Sequence, residues 1–514
     1  MAFKCSSPYL PVKQIYSLIV FVLVLVLTSL PLVLQWLGQN SVETEGNTDN
    51  FGGDVADGKV RSWSPKQHIF ISSAFDIGGV ESANKTYNIR LIVLTHNRDG
   101  PYLRKAPPVL CKSDADEIVA AEWSPLGAPM PCKWKDYFMD CNFSQPVKNL
   151  MILGGNRQIE IPITPVVTQK IPLVVCYGRA FFFEQWQIAL ASIETYLFYG
   201  ADLMVIPIVS VIKDLHTILE FYERQGKVKL KNGVIMPVIP ELAPYQDPNA
   251  HTDSLNIMTS NTECLYEYRQ AAEFMLFADF DDIFIPRKFN TIYEEVLALS
   301  NRFPTAPSFR FPWAKAKFVM EETPFKFNIT EMFSIFHIDS TSDKGKSIFR
   351  PLKIRRGLVH GPHFEGDYLS NVTEVRLGYG EMFNIHLRDA TKERDWFKFK
   401  GNNLYKGPSD FRKIQKVFRE RIQSDETAEK AFNSLPLGKP FFEAAVKCAE
   451  DTYRQKRTKD MCMSPLDCKY NIENPIPCMV MKPKFRRFDN GKGIILHSAV
   501  SKELVEKEDC SLIY

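Results

Sequence analysis

The run Phe274-Met275-Leu276-Phe277-Ala278-Asp279-Phe280-Asp281-Asp282 joins an apolar strand to a cluster of acids. Residues two apart on an extended segment point to the same side, so the sequence predicts that Asp279 and Asp281 converge where the strand leaves the core. Carboxylates held at short range raise one pKa or require a counter-cation. Their hard oxygens favour Mg²⁺ or Mn²⁺, ions that keep open positions for substrate phosphates. The competing reading of the same residues is a solvated acidic turn.

The elements that must position this pair begin near residue 171, where strand and helix patterns alternate, as in a mixed or parallel sheet covered by helices. The pattern predicts strands at 173–177, 201–209 and 234–239. Helices are predicted at 182–199, at 211–225 with Gly226 as the stop, and at 262–272. Asp279 then ends a later strand, and open α/β sheets bind ligands beyond the carboxyl ends of their strands.

Residues 15–37 are apolar and uncharged and, at 1.5 Å per residue, reach roughly 35 Å as a helix, enough for a bilayer core of about 30 Å. Lys4 and Lys13 precede the run and Glu43, Glu45 and Asp49 follow it, which keeps the N-terminus cytosolic. The run is longer than the core of a cleaved signal peptide, so a type II signal anchor with a lumenal body is expected. Only Cys5 of eleven cysteines precedes it, and the others would then lie in an oxidising compartment. Their spacing lacks a zinc pattern, which favours disulfides, with Cys176 and Cys264 either buried thiols or a long-range pair. Asn84, Asn142, Asn328 and Asn371 begin glycosylation triplets.

A net charge of +3 over 514 residues gives no field to attract nucleic acid, and the basic stretch 482–487 reads as solvated surface. The expected order is a cytosolic tail at 1–14, the anchor at 15–37, a polar stem at 38–64 and a small β-rich module at 65–165, stapled by some of Cys111, Cys132 and Cys141. An α/β domain at 166–435 and a Cys-rich C-terminal extension at 436–514, packed on that domain, complete it.

Two enzyme classes place Asp-x-Asp at a strand end. Haloacid-dehalogenase-like phosphatases carry it on the first strand and continue with Thr or Val where this chain has Ile283. Nucleotide-sugar glycosyltransferases of the GT-A type carry it after a nucleotide-binding α/β half, and that order fits better. The segments 174–179 (VVCYGR), 193–201 (IETYLFYGA), 219–228 (LEFYERQGKV), 264–286 around DFDD, 346–351 (KSIFRP) with Leu358-Val359-His360, and 384–388 (NIHLR) resemble the successive blocks of glycosyltransferase family 92. The resemblance implies a GT-A-like, inverting, membrane-anchored galactosyltransferase-like enzyme of the Golgi. It would use UDP-galactose and a glycan or glycoprotein acceptor, with Asp279 and Asp281 on Mn²⁺ (or Mg²⁺) and the UDP diphosphate. The chain departs from the family pattern at Asp282, commonly Glu, and at Leu387, commonly Tyr.

Metal coordination in many GT-A enzymes is completed by a late histidine, and His360, His363 and His386 are the candidates, each also readable as an ordinary hydrogen-bonded residue. Arg179 is a candidate contact for uracil or phosphate, or half of a structural salt bridge. An inverting mechanism needs a carboxylate base for the acceptor hydroxyl, and Glu321, Glu322, Glu331, Asp339 and Glu365 all lie in the acceptor half. Phe309, Phe311, Trp313, Phe318, Trp396 and Phe397 are either core or sugar platforms, with Trp313 the foremost sugar candidate. The rival to a transferase is a catalytically inactive lumenal glycan-binding protein of the same fold, followed by an Asp-x-Asp phosphatase. Donor sugar, linkage and oligomeric state are not encoded in any motif.

Overall fold

The computed structural model describes residues 66–78, 87–96, 108–127, 132–154, 156–242, 246–252, 256–318, 323–333, 335–337, 345–359, 361–364, 374–389, 404–406, 410–455, 462, 466, 472–491 and 493–512. The expected tail, anchor and stem lie outside these, as do Asn84 and Asn371. Among the described residues no helix is long and apolar enough to cross a membrane.

Residues Ser64–Tyr514 form a compact unit of mixed α/β structure. Its first part is all strand: β1 (Gln67–Asp76), β2 (Tyr87–His96), β3 (Leu110–Lys112), β4 (Ile118–Ala120), β5 (Glu122–Pro125), β6 (Trp134–Phe143), β7 (Leu150–Gly154) and β8 (Arg157–Ile161). Then come β9 (Ile171–Tyr177), α1 (Trp186–Phe198), β10 (Leu203–Ile208), β11 (Ser210–Ile212), α2 (Lys213–Arg224), β12 (Val228–Asn232), α3 (Ile257–Tyr268), β13 (Ala272–Ala278) and β14 (Asp282–Ile285). The strand expected at 234–239 is absent; the ladder runs through β12 instead, parallel to β10. There Lys229 and Lys231 break the apolar run, because an edge strand has only one face to bury.

Strands β9 and β13 are apolar on successive residues and buried on both faces, as parallel strands covered by helices must be. They lie at the centre of a nine-stranded sheet with β12, β10, β9 and β13 mutually parallel. The sheet then continues from β13 through β17 (Gly345–Phe349), β15 (Ser308–Phe318) and β21 (Phe383–Asp389) to β14, with mixed direction, and β20 (Val375–Arg376) pairs with β15 off this path. Short ladders pair β16 (Ile335–His337) with β22 (Leu404–Lys406) and β18 (Ile354–Gly357) with β19 (Pro362–Phe364). Phe309 and Phe311 are fully buried, so for these two the core reading holds.

The C-terminal stretch is less separate than its cysteines suggest. Strands β23 (Cys478–Asp489) and β24 (Ile494–Lys507) enter the N-terminal sheet in the order β11-β23-β24-β1-β2-β6-β5. Strand β24 runs parallel to β1, and β11, inserted between β10 and α2, pairs with β23. Disulfides join Cys111 to Cys141, Cys132 to Cys462, Cys176 to Cys264 and Cys478 to Cys510. The Cys176–Cys264 pair ties β9 to α3 directly beneath the acidic strand end.

Candidate active site

Strand β13 stops at Ala278, and the chain reverses at once. The Asp282 N–H donates to the Asp279 carbonyl at 3.0 Å, so residues 279–282 form a tight turn rather than an extended segment. The alternation expected to bring Asp279 and Asp281 to one side therefore does not apply. Phe280 anchors the turn: it is 7% exposed, stacks on Tyr177 with ring centroids 4.3 Å apart and packs on Phe183. Gly178 leaves room for the turn, since a Cβ there would meet Asp279 Oδ1 at 2.8 Å.

The antiparallel register of β14 and β21 sets Asp282 opposite His386, and the Leu387 N–H donates to the Asp281 carbonyl at 2.7 Å. His386 Nδ1 lies 2.9 Å from Asp282 Oδ1 and 3.7 Å from Asp281 Oδ2. A hydrogen bond from Nδ1–H to the Asp282 carboxylate leaves the lone pair on Nε2. Nε2 is buried and finds no hydrogen-bond partner among the described residues. Trp313 lies flat on the imidazole, centroids 4.3 Å apart and planes 8° apart. This expected sugar platform is 7% exposed and has given one face to His386.

One ligand atom each from Asp281, Asp282 and His386 lies within 4.8 Å of the others. Two carboxylates and an imidazole suit Mn²⁺ or a similar divalent ion, and the ring nitrogen that faces both carboxylates is Nδ1. Asp279 is not in this group. Its Oδ2 accepts a hydrogen bond from Lys346 Nζ at 2.8 Å, and the same ammonium lies 3.4 Å from Asp282 Oδ2 and donates to the Val359 carbonyl at 2.9 Å.

Lys346 sits on β17 and is 1% exposed. Burial alone would push its ammonium pKa down; Asp279, Asp282 and Asp281 outweigh burial and hold it above the ordinary value. For Asp282, burial pushes up and is overcome by Lys346 and His386, which hold the carboxyl below the ordinary range. Sequence reasoning used Lys346 only as the first residue of a resembling block. Its neighbours Asp343, Lys344 and Ser347 are polar, so no local pattern marks it as buried.

The other candidates are dispersed. Arg179 donates to the Val234 carbonyl at 2.7 Å and lies over the Phe181 ring. Glu331 accepts from Asn328 Nδ2 at 3.1 Å. His360, Glu321, Glu322, Asp339, Glu365, Trp396 and Phe397 lie outside the described residues, as do the side chains of Phe318 and His363.

Residues 171–426 match the family model described as Glycosyltransferase family 92. Two Caenorhabditis elegans proteins, glycosyltransferase family 92 proteins F59C6.8 and F13G3.3, are each 23% identical to the chain. They align with 75% and 86% of it and with 77% and 90% of their own lengths. A third, F55C10.4, is 32% identical over 32% of both chains. Among solved structures, S. aureus TarS 1-349 is 13% identical, with 56% of this chain and 76% of that one covered and a TM-score of 0.22. TarS 1-349 in complex with UDP-GlcNAc gives 11% identity and a TM-score of 0.25; at these scores the likeness adds nothing to the geometry.

Proposed function

Because residues 171–426 make this chain a member of glycosyltransferase family 92, we propose that it transfers a hexose, galactose by resemblance, from a UDP-sugar to a glycan acceptor, with inversion, at the turn of residues 279–282. The fold is read as GT-A-like, and the body as lumenal, in the Golgi, held there by a single-pass anchor at 15–37. The observation that carries the proposal is the meeting of Asp281, Asp282 and His386 at one point.

In this reading Asp281, Asp282 and His386 hold Mn²⁺. When bound, the ion acts as a Lewis acid toward the negative charge that develops on the departing UDP diphosphate. The register of β14 and β21 sets His386 opposite Asp282, and Trp313 covers the ring and keeps water from one face. Lys346 holds Asp279 and Asp282 in place. Inversion requires that a carboxylate on the acceptor side take the hydroxyl proton as the new bond forms opposite the leaving group. That role falls to one of Glu321, Glu322, Glu331, Asp339 and Glu365.

The test is a panel of UDP-sugars offered to the purified full chain with Mn²⁺ and a glycan acceptor. Transfer, abolished by EDTA and restored by Mn²⁺, is expected. Asp281→Asn should lower it by roughly 100-fold or more without lowering the yield of folded protein. Full activity in EDTA, or in the variant, would remove the metal role. An inert chain that still bound glycan would identify a binding protein.

A further inference from the structure

Around the turn lie three carboxylates, of Asp279, Asp281 and Asp282, and one buried ammonium, of Lys346. Lys346 cannot move aside. A Cβ at the preceding Gly345 would meet the Phe311 carbonyl oxygen at 2.0 Å, which places β17 hard against β15, and Lys346 Nζ is held by Asp279 and Val359 together. It is 1% exposed. Its influence is through charge.

The three carboxylates and the ammonium sum to two negative charges. One divalent ion then brings the site to neutrality. Without Lys346 the loaded site would stay negative and repel a diphosphate. The same ammonium opposes entry of a free cation, because like charges a few ångströms apart inside a protein interact strongly. We propose that Lys346 is a built-in counter-cation, a positioning residue that holds Asp279 and weakens the site for a free divalent ion until a nucleoside diphosphate arrives, so that ion and nucleotide load as one unit. This rests on the metal-dependent transferase reading above.

The experiment measures binding of Mn²⁺ alone, by the loss of its free-ion electron paramagnetic resonance signal, and of UDP at saturating Mn²⁺. It compares the full chain with Lys346→Met, Asp279→Asn and the double variant. Lys346→Met should bind free Mn²⁺ about 10-fold tighter and UDP about 10-fold weaker, whereas Asp279→Asn should weaken free Mn²⁺ binding; the double variant should return to within about threefold of wild type. A merely structural lysine would, on removal, weaken both ligands or change neither, and that result overturns the inference while leaving the metal site standing. Should Lys346→Met not fold, the double variant must still bind free Mn²⁺ more tightly than Asp279→Asn, and equality overturns the inference. A wild-type chain that binds no Mn²⁺ even with UDP removes the transferase metal site itself, and this inference with it.

Discussion

Asp281 and Asp282 are neighbours with opposite surroundings. The Asp281 side chain is 23% exposed, whereas that of Asp282 is fully buried between Lys346 and His386. Asp282→Asn leaves the buried His386 Nδ1–H and the nearby Lys346 ammonium with a weaker acceptor, so it should cost about 1–3 kcal/mol of stability. Asp281→Asn should cost under about 1 kcal/mol. Urea unfolding of the two variants measures the difference. Equal losses would mean that Asp282 does not hold the site together.

At the scale of elements, the alternation of apolar runs and turn residues located β9, α1, β10, α2, α3 and β13 within a few residues, because each buries a face that its period reveals. Boundaries at the site were less legible. The turn at 279–282 depends on Phe280 packing against Tyr177 and Phe183, and the opposition of Asp282 and His386 depends on strand register. Pairing between segments a hundred residues apart leaves no local trace in either one. The same holds for Glu184, in the loop between β9 and α1. Its Oε2 accepts the Phe442 N–H at 2.8 Å, in the first turn of a helix over Pro440–Gln455. Burial, opposed by backbone hydrogen bonds from Phe442 and Phe441, pushes its carboxyl up to about 7. A carboxyl whose folded pKa lies above its unfolded value stabilises at low pH, and that contribution is lost as pH rises through about 7. Glu184→Gln keeps the acceptor oxygen and escapes the loss. Its stability should match wild type near pH 5 and exceed it by about 1–3 kcal/mol near pH 8, as thermal melts at the two pH values would record; the same difference at both would place the titration elsewhere.

For the whole molecule, the position of β24 matters most. It lies between β23 and β1 in the interior of the seven-stranded sheet, where His497 Nε2 meets His68 Nδ1 at 3.0 Å. A chain ending at residue 435 would lose β23, β24 and the partner of Cys132, and would bare the long edge of β1. It should fail to yield soluble, protease-resistant protein, although the family-matched segment 171–426 is intact. A folded, resistant product would show that the α/β layer stands without the β-rich part.

On the ribosome, the first long strand of this unit is made early and its parallel neighbour almost last. At roughly 5–20 residues per second, tens of seconds separate the two, and throughout that interval the nascent polypeptide carries an apolar edge with nothing beside it. Maturation is therefore mainly post-translational, and chaperones that shield unpaired strands should govern how much enzyme a cell delivers.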